Sequence, residues 1–256
     1  MRISVVGCGM VGQSFALWLD ENTSHTVLKR DPKYELNDSF EGVEAVFICI
    51  PVPTREDNTQ DQTVLEKVVS EIKTECPFAS IYIRSTVLPG TSDRLGVNHV
   101  PEFLSERTCI EDMKRLDIVG GVSRTDAVAI ERLMAVFPGK KIHWMEPKEA
   151  ELAKYTHNVF AAVKVNYFNL IYELCHKLDA NYARVLDGAR VTGFIEPTHT
   201  MVPGPDGKRG FGGGCLPKDL DAFKRFLGEQ RIDRLSIVAA ACENYQIRAG
   251  DEWVTS

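Results

Sequence analysis

The sequence has no long apolar run and no run of like charges. No stretch approaches the ~20 apolar residues that a membrane-spanning helix needs, and no block of five or six like charges occurs. A formal net charge of −6 disfavours a general nucleic-acid-binding protein. The first residues enter a strand pattern without a charged-then-apolar leader, so we expect no signal peptide. These absences predict a protein with neither a membrane nor a nucleic acid as its partner.

Metal-binding motifs and the Walker A loop are also missing. The sequence contains no HExxH, no GxxxxGK[ST] and no zinc-like cysteine spacing. Its seven cysteines are an odd number without a regular spacing, which disfavours a disulfide framework and indicates a reducing compartment. We therefore expect no metal site and a cytoplasmic location.

The residues that are present predict two domains. At 256 residues, with 44% hydrophobic and 26% charged residues, the chain suits one large globular domain or two smaller ones. Strand and helix patterns alternate as far as about residue 145, and only helical spacing follows. We predict an α/β fold, with a Rossmann-like doubly wound sheet in residues 1–145. An all-helical domain with one long central helix is predicted for residues 146–256.

A glycine-rich motif, GCGMVG, follows the first strand pattern. Gly7 allows a tight turn, Gly9 lets a pyrophosphate approach the backbone, and Gly12 permits the next helix to pack closely on the strand. A second strand pattern ends at Asp31, about 20 residues after the motif, where a carboxylate binds the adenosine ribose and repels a 2′-phosphate. The pattern therefore predicts a site for NAD.

Polar residues near the ends of predicted strands leave alternatives open. Lys29 and Arg30, just before Asp31, could instead accommodate the 2′-phosphate of NADP. Thr86 and Glu102 each lie just past a strand, where the ligands of such sheets bind. Glu102 follows a proline, however, and could equally cap a helix that begins there.

A long helix is predicted from Lys148 to about Leu178. Thirty residues at ~1.5 Å each give about 45 Å, which exceeds the needs of a small domain. We therefore expect this helix to span between domains or subunits, and we predict a homodimer packed across it. Lys154 and Asn158 share one face of the helix and could hold an oxyanion or a water molecule. A solvated helix face is the alternative.

A single cysteine follows three glycines in the segment GFGGGCLPKD, residues 210–219. The glycines leave room for a ligand to approach Cys215, and Lys218 and Asp219 place a cation and a carboxylate nearby. A thiol attacks as the thiolate, which a cation or a helix N-terminus favours. The segment predicts covalent cysteine chemistry. A flexible loop that leads into a helix is the alternative.

Taken together, five segments resemble the UDP-glucose/GDP-mannose dehydrogenase family of nucleotide-sugar 6-dehydrogenases. In chain order they are GCGMVG, STVLPGT, PEFLSE, ELAKYTHN and GFGGGCLPKD, and they extend over nearly the whole chain. The resemblance implies NAD-dependent oxidation of the C6 alcohol of a nucleotide sugar, such as UDP-glucose, to the uronic acid.

The resemblance also implies catalytic roles. Cys215 would capture the aldehyde as a thiohemiacetal, which loss of a second hydride converts into a thioester that water cleaves. Lys154 and Asn158 would stabilise the negative charge that develops on the substrate oxygen. The other implied catalytic residues are Glu102, as the acid/base carboxylate, and Thr86 and Asp219, which would position water.

The ligand contacts that the resemblance implies form two sets. The cofactor set is Gly7, Gly9, Met10, Val11, Gly12, Asp31, Val52, Pro53, Thr86 and Lys218. The substrate set is Glu102, Phe103, Leu104, Lys154, Asn158, Phe211 and Gly212.

The sequence departs from the family pattern in four respects. The family's third, C-terminal domain, which holds the nucleotide of the substrate, has no counterpart in these residues, so we expect an incomplete substrate site. An arginine of the family is replaced near Phe194, Asp117 stands where an arginine is common, and Val52 stands where threonine is usual.

Two other functions stay open. A dehydrogenase of the β-hydroxyacid type shares the Rossmann domain and the long helix but needs no cysteine. A catalytically silent NAD-binding module that acts with a partner would retain the fold without the reaction.

Overall fold

The computed structural model describes residues 1–105, 107–232 and 235–254. The chain forms two compact units. The first contains Met1–Arg55 and Gln60–Tyr155, and the second contains Glu56–Thr59 and Thr156–Ser256. The border between them falls inside the longest helix, and the domain division predicted at residues 145 and 146 stays a proposal.

The first unit is built on a mixed sheet of eight strands in the order β3-β2-β1-β4-β5-β6-β7-β8. Only the pairs β2–β3 and β6–β7 among these strands are antiparallel. The order reverses beside β1, where doubly wound sheets bind ligands at the carboxyl ends of their strands. The strands are β1 (Arg2–Val6), β2 (Thr26–Asp31), β3 (Leu36–Asn37), β4 (Ala45–Ile48), β5 (Ser80–Ile83), β6 (Asn98–His99), β7 (Ile118–Gly121) and β8 (Ile142–Met145).

Helices pack on both faces of this sheet, because its strands alternate apolar side chains between two cores. In β5, Tyr82 belongs to the core that contains Phe15 and Phe137, whereas Ile81 and Ile83 face the other core. The helices of this unit are α1 (Met10–Asn22), α2 (Thr63–Glu75), α3 (Thr91–Leu95), α4 (Cys109–Arg115) and α5 (Ala127–Val136). A 3-10 turn covers Pro32–Tyr34.

Helix α6 (Pro147–Lys177) begins in the first unit and continues into the second. Pro147 starts it, as the missing N–H of proline allows at a first helical turn. The second unit then contains α7 (Tyr182–Ala189), α8 (Leu216–Glu229) and α9 (Leu235–Val254). None of the helices in the described residues combines the length and the apolar character that a membrane crossing requires.

The predicted fold class is confirmed, and the differences lie at its edges. The long helix runs within one residue of its predicted ends. Strand β8 was not predicted, because this edge strand leaves His143 and Trp144 exposed and so lacks the buried pattern of its neighbours. The pattern predicts strand over Ala45–Ile50, but β4 ends at Ile48, where the chain turns towards Pro51.

Candidate active site

The glycine turn after β1 is fixed by contacts between backbone segments. Gly7 has a φ of +90°, and a Cβ at this position would lie 2.8 Å from the backbone carbon of Cys49. A Cβ on Gly12 would lie 1.9 Å from the carbonyl oxygen of Gly7. A Cβ on Gly9, by contrast, would have no atom within 4 Å. The open space at Gly9 stands before the first N–H groups of α1, those of Met10 and Val11, and therefore fits a pyrophosphate.

Asp31 ends β2 with a carboxylate held in place by two backbone donors. Cys8 N donates to its Oδ2 at 2.6 Å, and Lys33 N donates to its Oδ1 at 2.9 Å. The residue lines a cavity of about 250 Å³. The cavity wall includes Val6, Arg30, Pro32, Phe40, Val68 and Ile72. A cavity with an apolar wall and an oriented carboxylate at its edge fits the adenosine half of NAD.

The basic residues before Asp31 are engaged by carboxylates of the first unit. Arg30 Nη2 lies 3.1 Å from Glu71 Oε1, and its Nη1 lies 3.3 Å from Glu75 Oε2. Lys29 Nζ lies 3.7 Å from Asp20 Oδ2. Arg30 therefore already has two carboxylate partners, which disfavours a role for it in holding a 2′-phosphate.

Thr86 is held by a glutamine that no sequence motif indicated. Gln60 Nε2 donates to the carbonyl oxygen of Thr86 at 3.0 Å and to the hydroxyl of Tyr155 at 3.0 Å. Its Oε1 accepts from Leu88 N at 3.1 Å. Gln60 is buried, so it ties the loop after β5 to the first turns of α6.

Glu102 and Lys154 form a buried ion pair. Lys154 Nζ donates to Glu102 Oε1 at 3.1 Å and to the Glu102 carbonyl oxygen at 2.5 Å, with side-chain exposures of 6% and 13%. Leu104 N donates to the second carboxylate oxygen at 2.6 Å, and the ammonium stands 5.2 Å from the ring centroid of Phe103. A solvated Lys154 is wrong, because its side chain is buried. A helix cap at Glu102 is wrong, because residues 101–105 contain no helix.

Arg84 and His99 are buried polar residues near this pair, and the sequence did not indicate them. Arg84 stands 4.5 Å over the ring of Phe15, and neither its Nε nor either ring nitrogen of His99 has a hydrogen-bond partner among the described residues. Burial lowers the pKa of Arg84, and burial with the charges of Lys154 and Arg84 lowers the pKa of His99 to about 3. His99 is therefore a neutral imidazole at physiological pH.

In the second unit, Asp219 joins two of the predicted residues. Asn158 Nδ2 donates to its Oδ2 at 2.6 Å, and Lys218 Nζ donates to its Oδ1 at 2.5 Å. The Asp219 side chain is only 1% exposed. His157 Nδ1 lies 3.0 Å from Asn158 Oδ1. Because Asn158 is buried, a solvated helix face is wrong for this residue too.

Cys215 is exposed and occupies the N-cap position of α8. Its carbonyl oxygen accepts from Asp219 N at 3.0 Å, the first backbone bond of the helix. Pro217 fits the first turn, where an N–H has no partner within the helix. The positive end of a 14-residue helix favours a thiolate over a thiol.

Other predicted residues occupy less decisive positions. Phe211 is buried ahead of Gly212, and Val52 belongs to the second core of the sheet. Pro53 accepts from Asp61 N through its carbonyl oxygen. Their contacts with a ligand stay predictions. At the surface, the Asp117 carboxylate lies 2.8 Å from His143 Nε2, and Phe194 is almost fully exposed.

Comparison with known proteins divides the chain near the start of α6. Residues 33–138 match the NAD binding domain of the UDP-glucose/GDP-mannose dehydrogenase family, and residues 148–245 match its central domain. The chain belongs to the UDP-glucose/GDP-mannose dehydrogenase family. It is a nucleotide-sugar dehydrogenase family with an NAD-binding domain, and NAD is the cofactor that the glycine turn and Asp31 fit.

Individual relatives agree with the family match. UDP-glucose 6-dehydrogenase of Rickettsia typhi (strain ATCC VR-144 / Wilmington) is 30% identical over 234 residues, which is 84% of this chain and 52% of that protein. The chain spans about half the length of the curated relatives it matches.

Solved structures of similar fold include a UDP-glucose dehydrogenase from the hyperthermophilic archaeon Pyrobaculum islandicum. Its TM-score is 0.82 at 24% identity, over 96% of this chain and 68% of that chain. A 3-hydroxyisobutyrate dehydrogenase of Mycobacterium tuberculosis aligns with a TM-score of 0.70 at 16% identity, over 97% and 94% of the two chains. At these identities both likenesses concern the fold alone.

Proposed function

We propose that the protein oxidises the C6 alcohol of a nucleotide sugar, such as UDP-glucose, to the uronic acid through a covalent intermediate on Cys215. One observation carries this proposal: an exposed cysteine occupies the N-cap position of α8, and the first turn of that helix contributes Lys218 and the buried Asp219, which bonds to the buried Asn158. A nucleophile beside fixed polar groups is what covalent aldehyde capture requires.

In the first oxidation, the C6 alcohol loses a proton and a hydride and becomes an aldehyde. NAD, when bound, accepts the hydride in each of the two oxidations. Glu102 takes the proton as the acid/base carboxylate. Lys154, already paired with Glu102, donates to the substrate oxygen as negative charge develops on it.

The second oxidation takes place on the enzyme-bound aldehyde. The Cys215 thiolate attacks the aldehyde carbon, a C–S bond forms, and the oxygen takes up a proton to give the thiohemiacetal. Loss of hydride from the same carbon, and of the hydroxyl proton, gives the thioester. Water then adds to the thioester, and the C–S bond breaks to release the carboxylate and regenerate the thiol.

The remaining predicted residues serve these steps. Asn158 stabilises the oxyanion together with Lys154, and the bond from its amide to Asp219 sets its orientation. Asp219 and Thr86 position the hydrolytic water.

We also propose a homodimer formed through α6. Exposed apolar residues recur along this helix at intervals of three and four residues, as in helices that pair. This α6 stripe consists of Phe160, Val163, Tyr167, Leu170 and Leu174. A contiguous apolar surface of this kind typically marks a protein interface. The reducing, cytoplasmic location predicted from the cysteines remains part of the proposal.

Sedimentation velocity tests the dimer. The protein should sediment as twice its 28.6 kDa mass, and Leu170→Asp should convert it to monomer. Val191→Asp, a matched exposed apolar position outside α6, should leave the dimer intact. A wild-type monomer at micromolar concentration would contradict the assignment.

Counting NADH formed per molecule of nucleotide sugar tests the reaction. UDP-glucose, GDP-mannose and UDP-N-acetylmannosamine are the substrates to offer. Two NADH per sugar, lost in Cys215→Ala, would support the proposal. Turnover that survives Cys215→Ala would favour the β-hydroxyacid type of dehydrogenase. Binding of NAD without turnover of any sugar would favour the silent module.

A further inference from the structure

The backbone just ahead of Cys215 is held by amide side chains from two helices. Asn244 of α9 bonds both polar groups of Phe211: its Oδ1 accepts from Phe211 N at 2.8 Å, and its Nδ2 donates to Phe211 O at 3.1 Å. Asn169 of α6 accepts from Gly210 N at 3.0 Å. Both amides are buried, so water does not compete for these bonds.

Arg248 adds a cation to the same backbone. Its Nε donates to Phe211 O at 2.7 Å, and its Nη2 lies 3.3 Å from Gly210 O. The guanidinium is itself fixed by Asp206, whose Oδ2 accepts from Nη2 at 2.8 Å. Two carbonyl oxygens, two amide N–H groups and a carboxylate thus converge on three side chains, which we call the loop clamp: Asn169, Asn244 and Arg248.

The loop clamp also explains two of the glycines. A Cβ on Gly210 would lie 2.5 Å from Asn244 Oδ1, and a Cβ on Gly212 would lie 2.5 Å from Arg248 Nη2. A Cβ on Gly213 or Gly214, in contrast, would have no atom within 4 Å. Gly210 and Gly212 therefore leave room for the loop clamp, and Gly213 and Gly214 leave space beside the sulfur of Cys215.

We infer that Asn244, Arg248 and Asn169 are positioning residues that hold Cys215 at the start of α8. Only residues 212–214 separate the clamped Phe211 from Cys215, and three glycines supply no side-chain packing of their own. The clamp therefore fixes the backbone on one side of the glycines, while Asn158 holds the first turn of α8 on the other side through Asp219. The functional part of this inference rests on the proposed role of Cys215.

Hydrogen exchange tests the clamp without reference to activity. The variants are Asn244→Ala, Asn244→Asp, which keeps the acceptor for Phe211 N, and the control Asn166→Ala. Asn166 is an equally buried amide that also joins α6 to α9, through a 2.7 Å bond to Ala240 O, but makes no bond to the loop. Peptides that cover residues 208–216 should exchange roughly tenfold faster in Asn244→Ala, less so in Asn244→Asp, and at the wild-type rate in Asn166→Ala.

Alkylation by iodoacetamide, followed by mass spectrometry of the peptide that contains Cys215, gives the functional reading. The rate at pH 7 should fall by about threefold or more in Asn244→Ala, because the sulfur leaves the helix N-terminus that favours its thiolate. Asn166→Ala should keep the wild-type rate. With a nucleotide sugar, Asn244→Ala should also form fewer than two NADH per sugar, since the aldehyde is captured less often.

These readings separate the two hypotheses. Equal exchange and equal alkylation in Asn244→Ala and Asn166→Ala would overturn the clamp, even if the wild type oxidises a sugar. Faster exchange and slower alkylation in Asn244→Ala alone would support it, even if the wild type turns over no sugar. A wild type that turns over no sugar would count against the proposed function only.

Discussion

The two units require their glycines for different reasons. In the first unit, Gly7 and Gly12 are needed because added side chains would meet backbone atoms of the adjoining turn and strand. In the second unit, Gly210 and Gly212 are needed because side chains of α9 occupy the space. At Gly12 the obstructing atom, Gly7 O, belongs to the same six-residue motif, whereas at Gly7 the obstruction is the backbone of Cys49, just past β4. In the second unit the obstructing groups are mobile side chains, and Asn244 lies 33 positions from Phe211, which it holds.

The largest expected effect concerns the chemistry of the second unit. Cys215→Ala should lower uronic acid formation by at least ~10³-fold, because the substitution removes the proposed nucleophile. Cys242→Ala removes another exposed thiol of the same unit and should retain full activity. The measurement is uronic acid formed per enzyme with NAD in excess. Equal activity of Cys215→Ala and Cys242→Ala would show that the reaction does not use Cys215.

A pair of alanine substitutions sharpens the account of the first unit. Gly12→Ala should destabilise the protein by roughly 3 kcal/mol, because its Cβ would stand 1.9 Å from Gly7 O and the backbone must move. Gly9→Ala meets no atom within 4 Å, so it should leave thermal stability unchanged and weaken NAD binding about tenfold. Thermal unfolding and NAD titration measure the two effects. Similar melting temperatures for both variants would contradict the packing argument.

A buried histidine of the first unit makes the stability of the protein depend on pH. In the first unit His99 is neutral when folded, with a pKa of about 3, against 6.5 when unfolded. The stabilising contribution of neutral His99 to the free energy of unfolding is therefore fully present above pH 6.5. It is lost as the pH falls towards 3, because the unfolded chain binds the proton first.

Urea unfolding at pH 7 and pH 5 measures this loss. Wild type should lose about 2 kcal/mol more than His99→Gln over this interval. The control His176→Gln, at an exposed histidine of α6, should follow the wild type. An equal loss of unfolding free energy in wild type and His99→Gln would mean that the folded protein protonates His99 as readily as the unfolded chain does.

The smallest effect is expected at the glycine that faces a flexible side chain. Gly212→Ala should cost only about 1 kcal/mol, because the guanidinium of Arg248 can move where a backbone cannot. Thermal unfolding of Gly212→Ala and Gly12→Ala measures the destabilisation at the two positions and tests the contrast between the units directly. A cost at Gly212 as large as that at Gly12 would show that the loop clamp is as rigid as the sheet.

The sequence predicted features that depend on local patterns and missed contacts between distant residues. Helix α6, the buried strands and Asp31 were predicted because periodicity and motif spacing are local signals. The sequence also paired Lys154 with Asn158 on one helix, but not Lys154 with Glu102 or Asn158 with Asp219.

Residues without a motif escaped prediction. Gln60, Arg84 and Asn244 make side-chain contacts with residues 26 or more positions away, such as Gln60 with Thr86. An isolated polar residue in a loop, strand or helix does not reveal which distant backbone group it will bind. Tertiary packing alone brings these groups together.

Mass spectrometry of the intact protein, quenched during turnover with NAD and a nucleotide sugar, addresses the central claim most directly. We expect a covalent adduct with the mass of the oxidised sugar nucleotide, as aldehyde or acyl group, located on the peptide that contains Cys215 and absent from Cys215→Ala. Steady oxidation of the sugar with no adduct on that peptide would contradict it.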